Sequence, residues 1–271
     1  MECTLSSLSG FCKGVKASLD ALDEAIARYG ASSLFVYGGI VHNDNVVSSY
    51  LEKGVGMVNC AEEVPAGSVV VIRAHGCKKS EMEELRKKCT VIDTTCPLVM
   101  MNIKDAADSS SDVLLIGEKG HDEVSSIASY KEGGVALASN YDELLSLAGK
   151  KDYTVIVQTT FSEKKWKAIQ PLLNSRFPQP RRGICQASAK RRKEIRDLAP
   201  SYDTLVVVGD GKSANSRALY EEGLILGKNS VFVSDASELD GKVLADRVFV
   251  TSGTSTPRAV VEEVVKVIEG L

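Results

Sequence analysis

No apolar run in the 271 residues approaches the ~20 that a bilayer-spanning helix needs, so the chain is not expected to cross a membrane. Its start, Met1-Glu2-Cys3-Thr4-Leu5, lacks the basic region and long apolar core of a secretory signal, and the chain reads as cytoplasmic. An excess of charge of one sign is also missing: 33 Lys plus Arg stand against 36 Asp plus Glu, a net −3. That balance lacks the basic footprint of a nucleic-acid binder and excludes polyanion binding as the main task. Histidine is scarce, three residues in all, so the places where it falls carry information. What is present, 44% hydrophobic and 25% charged residues, is the composition of an ordinary globular protein. The length exceeds the ~250 residues at which a single core stops growing, which predicts two or three domains.

Cys3, Cys12, Cys60, Cys77, Cys89, Cys96 and Cys185 are an odd number in a chain too large to need disulfide staples, so metal binding or plain burial is expected of them. Aligned on Cys12, Cys96 and Cys185, which lie 84 and 89 residues apart with 86 more to follow, the chain divides into three units of nearly equal length. After each cysteine comes a helix-like stretch and then an apolar run ending in glycine: Leu34-Phe35-Val36-Tyr37-Gly38, Val113-Leu114-Leu115-Ile116-Gly117 and Leu205-Val206-Val207-Val208-Gly209. Continuous apolar runs of this kind belong to strands buried on both faces. Second runs (around Val58, Leu137 and Val231) and third runs (around Val71, Ile156 and Phe249) follow in the same register. Thr90-Val91-Ile92-Asp93 makes a fourth strand leading into Cys96.

Strands alternating with helical segments predict parallel βαβ units. The expected fold class is α/β, with three small parallel-sheet lobes spanning 13–95, 96–184, and 185–271 plus 1–12. The N-terminus enters the third lobe because Glu2 to Leu5 precede Cys12 as Thr90 to Asp93 precede Cys96.

Ligands of parallel sheets collect at the carboxyl ends of strands. His42 and His121 follow first strands, in Val41-His42-Asn43 and Gly120-His121-Asp122-Glu123, and His75 follows a third strand, in Ala74-His75-Gly76. The equivalent loops elsewhere hold Gln158-Thr159-Thr160, Ser213-Ala214-Asn215-Ser216 and Ser252-Gly253-Thr254-Ser255. Three thiolates from three lobes can bind zinc, with a histidine as fourth ligand, or an iron–sulfur cluster whose fourth iron stays open. Structural zinc sites usually take closely spaced CxxC pairs, so the wide spacing favours the cluster. Cys3, Cys60 and Cys89 read as small buried hydrophobes, and Cys77, two residues past His75, as a spectator or modulator near the site. Lys190-Arg191-Arg192-Lys193, with Arg181-Arg182 upstream, reads as a solvated helix face or a docking patch for an acidic electron carrier.

Together with Gly10-Phe11-Cys12-Lys13-Gly14-Val15, Asp93-Thr94-Thr95-Cys96-Pro97, Ile184-Cys185 and Gly253-Thr254-Ser255-Thr256-Pro257, these loops resemble, in order and over essentially the whole chain, the 4-hydroxy-3-methylbut-2-enyl diphosphate reductases (IspH, also called LytB). The resemblance implies a trefoil of three α/β lobes around a central [4Fe–4S] cluster. It also implies reductive dehydroxylation of that diphosphate to isopentenyl and dimethylallyl diphosphate, the last step of the non-mevalonate isoprenoid pathway. By position, Cys12, Cys96 and Cys185 would hold one cluster with an open fourth iron, and Glu123 would relay protons, with His121 and Thr159 beside it contacting substrate. His42, His75, Ser213, Asn215 and Ser255 would bind the diphosphate, and ferredoxin or flavodoxin would supply electrons. The chain departs from the family with Asp122 for proline, Ala214 for a second serine, Thr94 and Ser252 for alanines, and in the segment from Gln186 to Arg192. The alternatives are a paralogous [4Fe–4S] reductase or dehydratase with another substrate, and a non-catalytic cluster or zinc protein acting as a redox sensor.

Overall fold

The structure, a computed structural model, describes residues 1–41 and 43–270, with the backbone alone for Ala214. In chain order the elements are β1 (Glu2–Leu5), α1 (Lys13–Tyr29), β2 (Leu34–Tyr37), α2 (Asp44–Glu52), β3 (Gly56–Val58), β4 (Val69–Ile72), α3 (Lys79–Lys88) and β5 (Thr90–Asp93). Then come α4 (Pro97–Asp108), β6 (Asp112–Ile116), α5 (Asp122–Ser129), β7 (Val135–Ala138), α6 (Tyr141–Leu147), β8 (Tyr153–Val157) and α7 (Glu163–Arg176). The last are α8 (Gln186–Leu198), β9 (Thr204–Val208), α9 (Ala214–Ile225), β10 (Asn229–Val233), β11 (Arg247–Ser252) and α10 (Arg258–Gly270). Among the described residues no helix is long and apolar enough to cross a membrane.

The strands form three sheets with the orders β3-β2-β4-β5, β7-β6-β8 and β10-β9-β11-β1, every pairing parallel. Counted by position within each unit, all three follow one plan, second-first-third, and two add a fourth strand beside the third. The fourth strand beside β11 is the N-terminal β1, in register Glu2↔Arg247 to Leu5↔Val250. In a parallel sheet of this order the chain switches direction between its first and third strands, and the crevice beyond their carboxyl ends is where such folds bind ligands.

The chain folds as two compact units. One comprises Met1–Lys16, Val41–Glu52 and Gln186–Leu271 and contains the sheet closed by β1. One face of that sheet (Val206, Val208, Val248, Val250) packs on Val261, Val264 and Ile268 of α10, and the other (Leu205, Val207, Phe249) on Ile195 of α8 and Leu219 of α9. The second unit, Ala17–Ile40 and Lys53–Cys185, contains the other two sheets. There Leu114, Ile116, Val155 and Val157 face α7, while Val113, Leu115 and Ile156 face α4 and α5. Burial on both faces is why the strands read as unbroken apolar runs, each such side chain contributing roughly 1.5–3 kcal/mol.

Candidate active site

The three aligned cysteines are anchored alike. The backbone N–H of Cys96 donates to Ala74 O at 2.9 Å, that of Cys185 to Thr159 O at 2.6 Å, and that of Cys12 to Thr254 O at 3.1 Å. Each acceptor lies two residues beyond the end of its unit's third strand, β4, β8 or β11. Each cysteine also immediately precedes a helix, α4, α8 or α1. The Cys12 sulfur accepts the Val15 N–H at 3.4 Å, and the carbonyls of Cys12 and Cys96 accept the first helical N–H groups, from Lys16 and Met100. None of the three is in a disulfide and all are half-buried, at helix starts whose partial positive charge favours anionic ligands. This donor set fits a soft, thiolate-bound metal group. Among the described residues no three His, Cys, Asp or Glu side chains are grouped as closely as a single metal ion requires.

The other cysteines differ from the buried hydrophobes the sequence suggests. Only Cys77 is buried; Cys3, Cys60 and Cys89 are half-buried, Cys60 because it lies just past β3 rather than within it. Burial, reinforced by a nearby carboxylate (Glu269 and Asp93 respectively), pushes the thiols of Cys3 and Cys77 up to about 11. They stay protonated near neutrality, which suits neither ligation nor nucleophilic attack.

Glu123 sits in the first turn of α5 with its side chain fully buried. One carboxyl oxygen, Oε1, accepts the Thr159 N–H at 2.7 Å and the other, Oε2, accepts the Thr159 hydroxyl at 2.8 Å. Burial raises its pKa to about 7 against the two Thr159 hydrogen bonds, which favour the ionised form, so desolvation is the larger effect. Thr159 therefore binds the acid through its N–H and hydroxyl and Cys185 through its carbonyl.

His121 caps the same helix, its Nδ1 accepting the Glu123 N–H at 3.1 Å, which places the proton of the neutral ring on Nε2. His75 meets it edge to face with centroids 5.7 Å apart. Further contacts tie the loop after β4 to α5: the Ser126 hydroxyl donates to Cys77 O at 2.7 Å and the Lys79 N–H to the Ser129 hydroxyl at 2.9 Å. Asp122 pairs with the Arg73 guanidinium at 2.7 Å, so the carboxylate in the proline position meets a cation.

In the other unit, Ser213 caps α9, its hydroxyl accepting the Ser216 N–H at 3.4 Å. Both amide atoms of Asn215 are buried without a hydrogen-bond partner among the described residues. A buried polar group in that state costs about 1–3 kcal/mol unless a ligand satisfies it, and a helix N-terminus is suited to an anion. Gly209 and Gly253, after β9 and β11, let the backbone approach this turn; a Cβ would come within 2.4 Å and 2.1 Å of the Ser216 hydroxyl oxygen. Ser255 is buried beside them in the sequence, and His42 lies outside the described residues. A cavity of about 210 Å³ in this unit is lined by Asn43, Asp44, Asn45, Asp210, Gly211 and Ser234. Its two carboxylates make it unsuited to phosphate.

The structure thus brings Glu123, Thr159 and Cys185 together, and likewise His75 and His121. It corrects the basic run: Arg191 and Arg192 are buried rather than solvated, because α8 packs on the sheet through that face, and Arg182 is paired with Asp105. Sequence reasoning missed Arg73, though its place directly after β4 marks a ligand-binding end. It also missed what the departures do. The Ser252 hydroxyl accepts the Gly10 N–H at 2.9 Å, and the Thr94 hydroxyl donates to Ile72 O at 2.5 Å, so both hydroxyls brace loops that lead to cysteines.

Parallel α/β sheets with cysteines at helix starts and a buried, protonatable acid–hydroxyl pair at strand ends are the features of an α/β enzyme. The family model described as LytB protein matches residues 3–269, and the chain belongs to that family. It is 33% identical to the 4-hydroxy-3-methylbut-2-enyl diphosphate reductase of Dechloromonas aromatica over 285 residues, covering 100% of this chain and 92% of that one. With the reductase of the same name from Methylococcus capsulatus the identity is 34% over 280 residues, covering 98% and 89%. The structure of the E-1-hydroxy-2-methyl-but-2-enyl-4-diphosphate reductase from Plasmodium falciparum superposes with a TM-score of 0.88 at 27% identity, covering 98% of this chain and 87% of that one.

Proposed function

We propose that this chain is a 4-hydroxy-3-methylbut-2-enyl diphosphate reductase, removing the hydroxyl of that substrate as water with two electrons and two protons to give isopentenyl and dimethylallyl diphosphate. The observation that carries the reading is the threefold anchoring of Cys12, Cys96 and Cys185, each N–H held by the carbonyl two residues past a third strand. The lobes are read as 13–95, 96–184, and 185–271 plus 1–12. Cys12, Cys96 and Cys185 would hold one [4Fe–4S] cluster with an open fourth iron, which when bound supplies the electrons and a Lewis-acid site for the hydroxyl.

The protein's own groups handle the diphosphate and the protons. Glu123, titrating near neutrality, holds a proton on a carboxyl oxygen beside the Thr159 hydroxyl, which can pass it toward the departing hydroxyl. His121, whose ring proton sits on Nε2, is read as the second donor there. His42, His75, His121, Thr159, Ser213, Asn215 and Ser255 are read as the substrate contacts. Imidazole, amide and hydroxyl donors can together hold a diphosphate without a permanent cation. The electron donor is read as a small acidic carrier of the ferredoxin or flavodoxin class.

Anaerobic reconstitution, followed by oxidation of reduced viologen in the presence of the diphosphate, tests the reading. Turnover is expected; a bound cluster without turnover would mean a different substrate, and zinc without a cluster a non-catalytic redox sensor. Asn215→Ala and His42→Ala are expected to weaken substrate binding by about 1–3 kcal/mol each, with little effect on the chemical step. Calorimetry on the oxidised protein reads this directly, and unchanged affinity would remove these residues from the diphosphate site.

A further inference from the structure

Arg191 is 3% exposed, and its guanidinium makes two hydrogen bonds, Nη1 to Ser252 O at 2.5 Å and Nη2 to Gly10 O at 2.6 Å. Both acceptors are neutral carbonyls, and no carboxylate stands within ion-pair distance of it among the described residues. Glu194, three residues along α8, is instead hydrogen-bonded to the hydroxyls of Ser6 and Ser7. Burial lowers the Arg191 pKa to about 10, which leaves it charged at neutrality, and the electrostatic influences that oppose this lowering come from Cys12 first and then Glu194. A buried cation without a counter-charge is among the costliest features a fold can carry, and proteins retain one where an anion completes it.

The two carbonyls that Arg191 holds bracket the seat of Cys12. Gly10 lies two residues before Cys12, and its N–H donates to the Ser252 hydroxyl at 2.9 Å. Thr254, two residues after Ser252, accepts the Cys12 N–H at 3.1 Å. One guanidinium therefore clamps both strands of backbone that position this cysteine, and places a fixed positive charge beside it.

We propose that Arg191 is the built-in counter-charge of the group bound at Cys12, a positioning residue that fixes the Cys12 loop and favours the reduced, more negative state of a thiolate-held iron–sulfur cluster. This rests on the cluster assignment made under the proposed function. A cation near a cluster stabilises the added electron and raises its reduction potential; removing the charge lowers it. Arg191→Gln keeps hydrogen-bonding capacity without the charge, and Arg191→Lys keeps the charge without the two-pronged geometry.

Redox titration of the anaerobically reconstituted wild type and both variants, followed by electron paramagnetic resonance with iron quantitation, separates the outcomes. Arg191→Gln is expected to shift the one-electron reduction equilibrium about tenfold toward the oxidised cluster, about 59 mV more negative, with Arg191→Lys close to wild type. If Arg191→Gln loses its cluster, a Lys variant that retains one at the wild-type potential still supports the counter-charge. A Gln variant at the wild-type potential, or loss of the cluster in both variants, overturns it. Failure of the wild type itself to bind a cluster would instead overturn the cluster assignment.

Discussion

Glu123→Gln is expected to lower turnover by ~10² to 10⁴, the contribution of a positioned general acid, while leaving the cluster and substrate affinity intact. Glutamine retains the size of the side chain and a carbonyl oxygen able to accept the Thr159 N–H, but has no acidic proton to transfer. Asp122→Asn, by contrast, is expected to stay within a few-fold of wild type, because Asp122 faces Arg73 and an amide oxygen can still accept from the guanidinium. Steady-state rates with one chemical reductant compare the two variants. A normal rate for Glu123→Gln, or inactivity of Asp122→Asn alone, would move the acid elsewhere.

The same residue gives a pH signature. With its pKa at about 7, Glu123 is protonated in acid solution, so the wild-type kcat/KM should fall as pH rises through neutrality, and that limb should vanish in Glu123→Gln. Stability provides a check independent of activity. The folded protein holds this proton more tightly than the unfolded chain, whose glutamate titrates near 4.5. The contribution is therefore complete below that pH and is lost as pH rises through about 7. Denaturant midpoints measured across that window should decline with pH less steeply in Glu123→Gln than in wild type.

The second large effect concerns the cysteines. Cys12→Ser, Cys96→Ser and Cys185→Ser are each expected to lose the cluster, since a hydroxyl is a poor replacement for a soft thiolate. Cys60→Ser and Cys89→Ser should retain it, as neither begins a helix at a strand-end carbonyl in the way the other three do. Iron quantitation with Mössbauer spectra reads the difference. Full retention in any of the first three would break the ligand assignment.

The strands were legible because parallel strands buried on both faces leave unbroken apolar runs, and the pairing of β1 with β11 because Glu2–Leu5 stands before Cys12 as β5 stands before Cys96. The even spacing of three cysteines carried the repeat. What escaped was set by tertiary contacts rather than by pattern. Arg191 sits in a run that looks like any solvated basic helix face, and only the packing of α8 shows that its partners are carbonyls 181 and 61 residues away. The Arg73–Asp122 pair joins residues 49 positions apart, so neither flags the other. The burial of Glu123 follows from α5 packing against β6 and β8, a fact invisible in Gly120-His121-Asp122-Glu123 itself.

The most direct test of the reductase reading is to incubate chemically reduced, cluster-loaded protein with 4-hydroxy-3-methylbut-2-enyl diphosphate in deuterated water and analyse electrons consumed and products formed. Two electrons are expected to be used per molecule converted, with isopentenyl and dimethylallyl diphosphate each carrying one deuterium on carbon and the other solvent proton having left in water. A cluster-loaded, reduced protein that leaves the diphosphate intact would contradict it.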